Sequence, residues 1–118
     1  MPAYRHLELL SGGPVSRVRL LNHRPFSAEQ VAELTSEWNS IADRVDCQSL
    51  LVDCSNVRHL NSEMLSRLIV LQRRLGQKEG KLVLCGLCLE VREVLSWSKL
   101  DRFFEIEEGG GQEVAALA

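Results

Sequence analysis

The chain has 118 residues, 45% of them hydrophobic and 25% charged, which is the balance of one ordinary globular domain with enough length to bury a core. A net charge of −2 speaks against a nucleic-acid binder, which carries a basic field. No apolar run approaches the roughly 18 residues of a membrane span, and MPAYRHLELL lacks a cationic start followed by an apolar stretch, so neither a signal peptide nor a membrane contact is expected and the cytosol is the expected compartment.

Residues 4–10 (YRHLELL) and 16–22 (SRVRLLN) read as two strands joined by Ser11-Gly12-Gly13-Pro14, a strong turn signal, and so as a hairpin. In the second strand Val18 and Leu20 alternate with Arg17 and Arg19, a period of two with one wet face. Ser27 is a good N-cap, followed by Glu29 and Gln30 in the first helical turn. Val31, Leu34, Trp38, Ile41 and Val45 then recur at helical spacing opposite Glu33, Glu37 and Asp43, which predicts an amphipathic helix.

SLLVDCS, residues 49–55, is a short apolar run suited to a strand buried on both faces. A loop leads to a second helix from Ser62 to about Lys78, with Met64, Leu65, Leu68, Ile69, Leu71 and Leu75 as its apolar stripe. Arg73, Arg74 and Lys78 gather in its last turns, where cations complement the helix dipole, and Gly80 marks the stop. KLVLCGL, residues 81–87, is another buried-type strand. Residues 89–97 form a short helix with Val91, Val94 and Leu95 inward. Residues 103–106 are the last strand, Gly109-Gly110-Gly111 a break, and residues 112–118 a terminal helix. Both Trp38 and Trp97 are expected in the core. Strands that alternate with helices after a hairpin imply an α/β fold with a mixed sheet, its parallel pairs joined by right-handed crossovers.

The joint Asn61-Ser62-Glu63 stands where a strand's carboxyl end leads into a helix start, the place where function gathers in α/β folds. The first helical turn leaves backbone N–H groups without intrahelical partners, and these favour anions, phosphate included. A serine hydroxyl there is accessible to a modifying enzyme, and a phosphoryl group adds about −1.5 to −2 charges that the helix end tolerates but a docked partner does not. Asn and Ser are equally good caps, and taken alone these residues favour the cap.

Cys85-Gly86-Leu87-Cys88 has the C-x-x-C spacing of a redox site, and Cys88 at a helix start is placed for a lowered pKa. Leu87 stands where thioredoxins carry proline, and no tryptophan precedes Cys85, so Cys85 reads as a buried strand residue and Cys88 as a cap. Four cysteines without an export signal read as reduced thiols. One paired set of cysteines and the scattered His6, His23 and His59 do not make a structural zinc site. Ser62 lies outside G-x-S-x-G, Asp53 and His59 lie too close in sequence to suggest a separately assembled triad, and no P-loop or dinucleotide fingerprint is present. No catalysis, metal or cofactor is expected.

The run LLVDCSNVRHLNSEMLSRLIVLQRRLGQKEGKLVLCGLCLEVREVLSWSKLDRFFEI resembles a STAS domain, the family of the anti-sigma-factor antagonists. The likeness lies in an apolar strand with Asp (Leu50 to Asp53), a serine-bearing helix start (Asn61 to Leu65) and a helix ending in a basic stretch and glycine (Arg73 to Gly80). A further strand (Leu82 to Leu87), a helix (Val91 to Leu95) and a Leu100-Asp101 step complete it; in all it covers about Arg17 to Leu117. The resemblance implies a single STAS-type domain over residues 1–118, with helices mainly on one face of the sheet. It also implies a non-catalytic bacterial regulator of transcription, whose partner is an anti-sigma factor or a related serine kinase.

By that resemblance Ser62 is the phosphorylation site. The partner-binding surface is Asn61, Ser62 and Glu63 with Asn22, His23, Arg24, Phe26, Arg58 and His59 nearby. Asn61 replaces the family aspartate, Glu63 and Met64 replace a small residue and a glycine, and Arg24 replaces an acidic partner-facing residue. Glu63 either disfavours a second anion by like-charge repulsion or mimics the phosphorylated state in part. A second reading therefore keeps the fold and makes the chain a phosphorylation-independent scaffold, or a domain that assembles with copies of itself as a homodimer.

Overall fold

A computed structural model describes residues 4–21, 27–99, 102 and 104–107. The elements follow in the order β1 (Leu7–Ser11), β2 (Val15–Leu20), α1 (Ala28–Ala42), β3 (Ser49–Asp53), α2 (Ser62–Gly76), β4 (Leu82–Cys85), α3 (Leu89–Trp97) and β5 (Glu105–Glu107). The expected terminal helix over 112–118, the glycine break and the loop residues Asn22, His23, Arg24 and Phe26 lie outside the described residues.

The five strands form one mixed sheet in the order β1-β2-β3-β4-β5. The hairpin pair β1/β2 is antiparallel, with an irregularity between Leu9 and Ser11. The β2/β3, β3/β4 and β4/β5 pairs are parallel. Alternation sends Val18, Leu20, Leu50, Val52, Leu82 and Leu84 to one face, where they share a single core with Val31, Leu34, Trp38 and Ile41 of α1, Met64, Leu68, Leu71 and Leu75 of α2, and Val91 and Leu95 of α3. All three helices thus bury their apolar stripes against one side of the sheet. The other side holds a small cluster of Leu51 and Cys85 with Val83 packed against it. Both faces of β3 are buried, as its apolar run predicts, although helices cover only one of them.

Local chemistry sets the helix limits. Ser27 closes a full capping box with Gln30 at the start of α1. That helix ends at Ala42 with Asp43 as its C-cap, so Val45 falls beyond the last turn and is wholly exposed instead of continuing the stripe. Helix α2 ends at Gly76, two residues short of the expected Lys78, and Glu79 then takes a positive φ of 62°. The Gly80 N–H returns to the Leu75 carbonyl at 2.8 Å. A Cβ on Gly80 would run into the backbone carbonyl of Gln48, so the close approach of two chain segments requires glycine there. Helix α3 is held to the core by Val91 and Leu95 alone, one turn apart. Val94 and Trp97 therefore face solvent, Trp97 at 84% exposure, and the expectation that both were inward does not hold. Trp38 is fully buried, as expected.

Candidate functional site

The site is built at the carboxyl end of β3. Strand pairing with β4 is prolonged past Asp53 by the Cys54 N–H, which donates to the Cys85 carbonyl at 2.8 Å. Asp53 then turns the chain: its carboxylate accepts the Ser55 N–H at 2.9 Å and the Arg19 Nε–H at 3.3 Å. Burial of this carboxyl, 7% exposed as a residue, pushes its pKa up. The Ser55 backbone N–H, the Ser55 hydroxyl and the Arg19 guanidinium outweigh that burial and hold it below the ordinary carboxylate value. Gly86, at φ 68°, lies so near that a Cβ there would stand 2.8 Å from Asp53 Oδ1.

Two further ties fix the loop that follows. Asn56 Nδ2 donates to the Leu20 carbonyl at 3.1 Å, joining the loop to the end of β2. The Cys88 thiol points at the carbonyls of Val57 and Arg58, at 3.6 and 3.7 Å, joining it to the start of α3. The loop is thereby held from both sides, and the helix start it leads to is placed by the sheet.

At that start Asn61 is extended (φ −89°, ψ 172°), and its side-chain oxygen accepts the Met64 N–H at 2.9 Å. Its carbonyl accepts the Leu65 N–H at 3.1 Å. Asn61 is the cap; Ser62 is the first residue of α2. Asn61, Ser62 and Glu63 are all exposed, whereas Met64 is 1% exposed and anchors the turn in the core. Glu63 pairs with Arg67 one turn on, with Arg67 Nε at 3.2 Å and a terminal guanidinium nitrogen at 3.1 Å from the same oxygen. The residue that stands in for the family's small side chain thus has its charge partly neutralised within the helix.

Arg58 and His59 are exposed on the loop before the helix. They stand near the start of α3 as well. The Glu90 carboxyl there is held below its ordinary value first by its own backbone N–H and by the Cys88 side chain, against burial, and then by the charges of Arg58 and His59. Two helix N-termini and two basic side chains therefore border one exposed loop. Of the residues expected in the partner surface, Asn61, Ser62, Glu63, Arg58 and His59 come together here, while Asn22, His23, Arg24 and Phe26 lie outside the described residues. Asp53, Ser55, Asn56 and Gly86, which place the loop, were not singled out as site residues from sequence. The one legible signal for them is an aspartate ending an apolar run with serine two residues on, the pattern of a side-chain-closed turn.

Cys47, Cys54, Cys85 and Cys88 are all free thiols. Burial pushes the Cys85 thiol up to about 11, with the Asp53 charge adding to it, and burial pushes the Cys54 thiol higher still. Among the described residues no group of three or more His, Cys, Asp or Glu is arranged to hold a metal ion. Nor is any helix there long and apolar enough to cross a membrane.

Comparison with known proteins agrees with this architecture. The STAS domain family model matches residues 22–110. Among solved structures, a STAS domain protein from Planctomyces limnophilus superposes with a TM-score of 0.80 at 17% identity, over 92% of this chain and 93% of that one. The anti-sigma factor antagonist SpoIIAA in its unphosphorylated form gives 0.76 at 15% identity, over 92% and 90%. The Bacillus cell fate determinant SpoIIAA in its phosphorylated form gives 0.68 at 15% identity, over 93% and 95%. At these identities the likeness establishes the fold. No curated protein matches the chain by sequence.

Proposed function

Since the chain belongs to the STAS domain family, we propose that it is a non-catalytic cytosolic module that binds an anti-sigma factor or a related serine kinase and is switched by phosphorylation of Ser62. The observation that carries this reading is the placement of Ser62: first residue of α2, exposed, and relieved of capping by Asn61. SpoIIAA, similar in fold, has been solved in an unphosphorylated and a phosphorylated form.

The chemistry follows from that placement. On the kinase, the Ser62 hydroxyl oxygen attacks the terminal phosphorus of ATP, ADP departs, and the hydroxyl proton passes to a base of the kinase. The phosphoserine that results carries about −1.5 to −2 charges beside the outward-facing amides of a helix start. The helix accommodates it, so the fold persists. A partner docked over Asn61, Ser62 and Glu63, with Arg58 and His59 at the rim, must desolvate that charge, and binding is lost. The Glu63–Arg67 pair reduces the repulsion that Glu63 would otherwise exert on the incoming phosphate.

The test is intact mass and site mapping of the protein purified from its native host, beside Ser62→Ala. One added phosphate that maps to Ser62 and vanishes in the variant supports the switch. Phosphate on another residue, or a phosphate retained in Ser62→Ala, overturns it.

A further inference from the structure

At β3 and β4 the sheet is closed to solvent on both faces, yet helices lie on only one of them. On the other face Leu51 is 1% exposed and Cys85 0%, with Val83 packed against them. Strand register sets Arg17, Leu51, Val83 and Glu105 in one cross-strand row and Arg19, Asp53, Cys85 and Glu107 in the next. Neighbours in a row stand beside one another in a single layer; they narrow the approach to a side chain without roofing it. Among the described residues the apolar cluster on this side consists of strand residues alone, and the buried stripes of α1, α2 and α3 all belong to the opposite side. Arg17 Nε, in the Leu51 row, is enclosed too and has no hydrogen-bond partner among the described residues. A roof over β3 and β4 must come from elsewhere in the chain.

Connectivity narrows the choice. Residues 1–3 lead into Tyr4, which packs against the helix-side core, and the Arg5 and His6 amides that follow are held by Glu37 of α1. Residues 22–26 lead from β2 into α1, on the helix side. Residues 100–103 lead from α3 to Phe104, which is buried in that same core. Residues 108–118 alone follow the last strand and are committed to neither face.

Their length and pattern fit the gap. From the end of β5 to a point above the middle of the β3/β4 pair is about 12 Å, taking one and a half strand spacings sideways and a layer distance of roughly 10 Å upward. Glu108 to Gly111 extended reach about 13 Å. A helix over residues 112–118 is about 10 Å long, the width of two strand spacings. At helical spacing Val114, Leu117 and Ala118 share one side, with Gln112 opposite. We infer that residues 112–118 form a strap that folds back over the outer face of the sheet and seals Leu51, Val83 and Cys85 with Val114 and Leu117.

The strap makes the accessibility of Cys85 conditional. Closed, it keeps the thiol from any reagent; displaced, it uncovers an apolar strip with that thiol at its end. Neither Ser62 nor a partner enters the inference, so it stands apart from the proposed switch.

The experiment is native labelling of the full chain with a maleimide at neutral pH, each cysteine followed by peptide mass. In the wild type Cys54 and Cys85 stay unmodified and at most Cys88 reacts. Val114→Asp and Leu117→Asp each put a carboxylate on the apolar side of the strap, where burial is costly, and should raise Cys85 labelling at least about tenfold. Cys54, beneath the helices, should stay as slow as before in the same samples. Gln112→Lys, on the polar side, should leave Cys85 at the wild-type rate. An unchanged Cys85 rate in both aspartate variants overturns the inference. So does a rise that occurs only in step with Cys54, which marks opening of the whole fold, or an equal rise in Gln112→Lys.

Discussion

Asn61, not Ser62, caps helix α2: the Asn61 side-chain oxygen takes the Met64 N–H at 2.9 Å, and the adjoining serine is left on the surface. Capping and the proposed phosphorylation thereby fall on neighbouring positions. Asn61→Ala should cost about 1 kcal/mol, the usual loss on removing a good cap. Ser62→Ala should change stability by no more than about 0.5 kcal/mol, as at an ordinary surface site. Urea denaturation of the two variants beside wild type measures both; equal losses would contradict the assignment of the cap.

Ser62→Asp puts a permanent negative charge in the first turn of α2. The helix dipole favours it by about 0.3–1 kcal/mol, so thermal stability should hold or rise slightly. Binding of an anti-sigma factor or kinase that wild type captures should fall sharply in the same variant. A thermal melt and a binding titration on one preparation read the two effects separately.

Asp53 makes the fold sensitive to acid. Its carboxyl titrates below the ordinary value of 3.8 in the folded chain, so its contribution is fully present above the unfolded pKa. That contribution is lost as the pH falls through the lower, folded pKa. Asp53→Asn should lower stability at neutral pH by about 1.5–3 kcal/mol, the worth of a hydrogen bond to a charged group. It should also flatten the fall in stability below about pH 4. Denaturation midpoints of both proteins between neutral pH and acid check the slope.

Cys47, Cys54 and Cys85 are buried, and the thiols of Cys54 and Cys85 have raised pKa values. A thiol reagent at neutral pH should therefore modify at most the half-buried Cys88 in the native protein, and all four cysteines once urea is added. Rapid native labelling of Cys85 together with Cys88 would revive a redox role for the C-x-x-C spacing.

The architecture was legible because it rests on periodicity. The alternation Arg17-Val18-Arg19-Leu20, the stripe from Val31 to Ile41 and the runs around Val52 and Leu84 each specify an element and its buried side. Misreadings fall where periodicity says least. Val45 continues the stripe of α1 in number but follows the end of the helix, and α3 needs only Val91 and Leu95 to dock, so Val94 and Trp97 have no core to enter. At the site, the exposed serine at a helix start was readable from local chemistry. The supports were not: Asn56 reaches back 36 residues to Leu20, and Gly86, just past the end of β4, makes room for Asp53. Such long-range fits leave no local pattern.

Strand order in this sheet is the same as chain order. Each crossover therefore returns the chain to the edge it has just made, and no strand is inserted between two earlier ones. The molecule is suited to growth by accretion: the hairpin first, then one helix–strand unit after another as synthesis proceeds from the amino end. Loop closures stay short in such a scheme, which favours rapid assembly for a sheet whose pairs are mostly parallel.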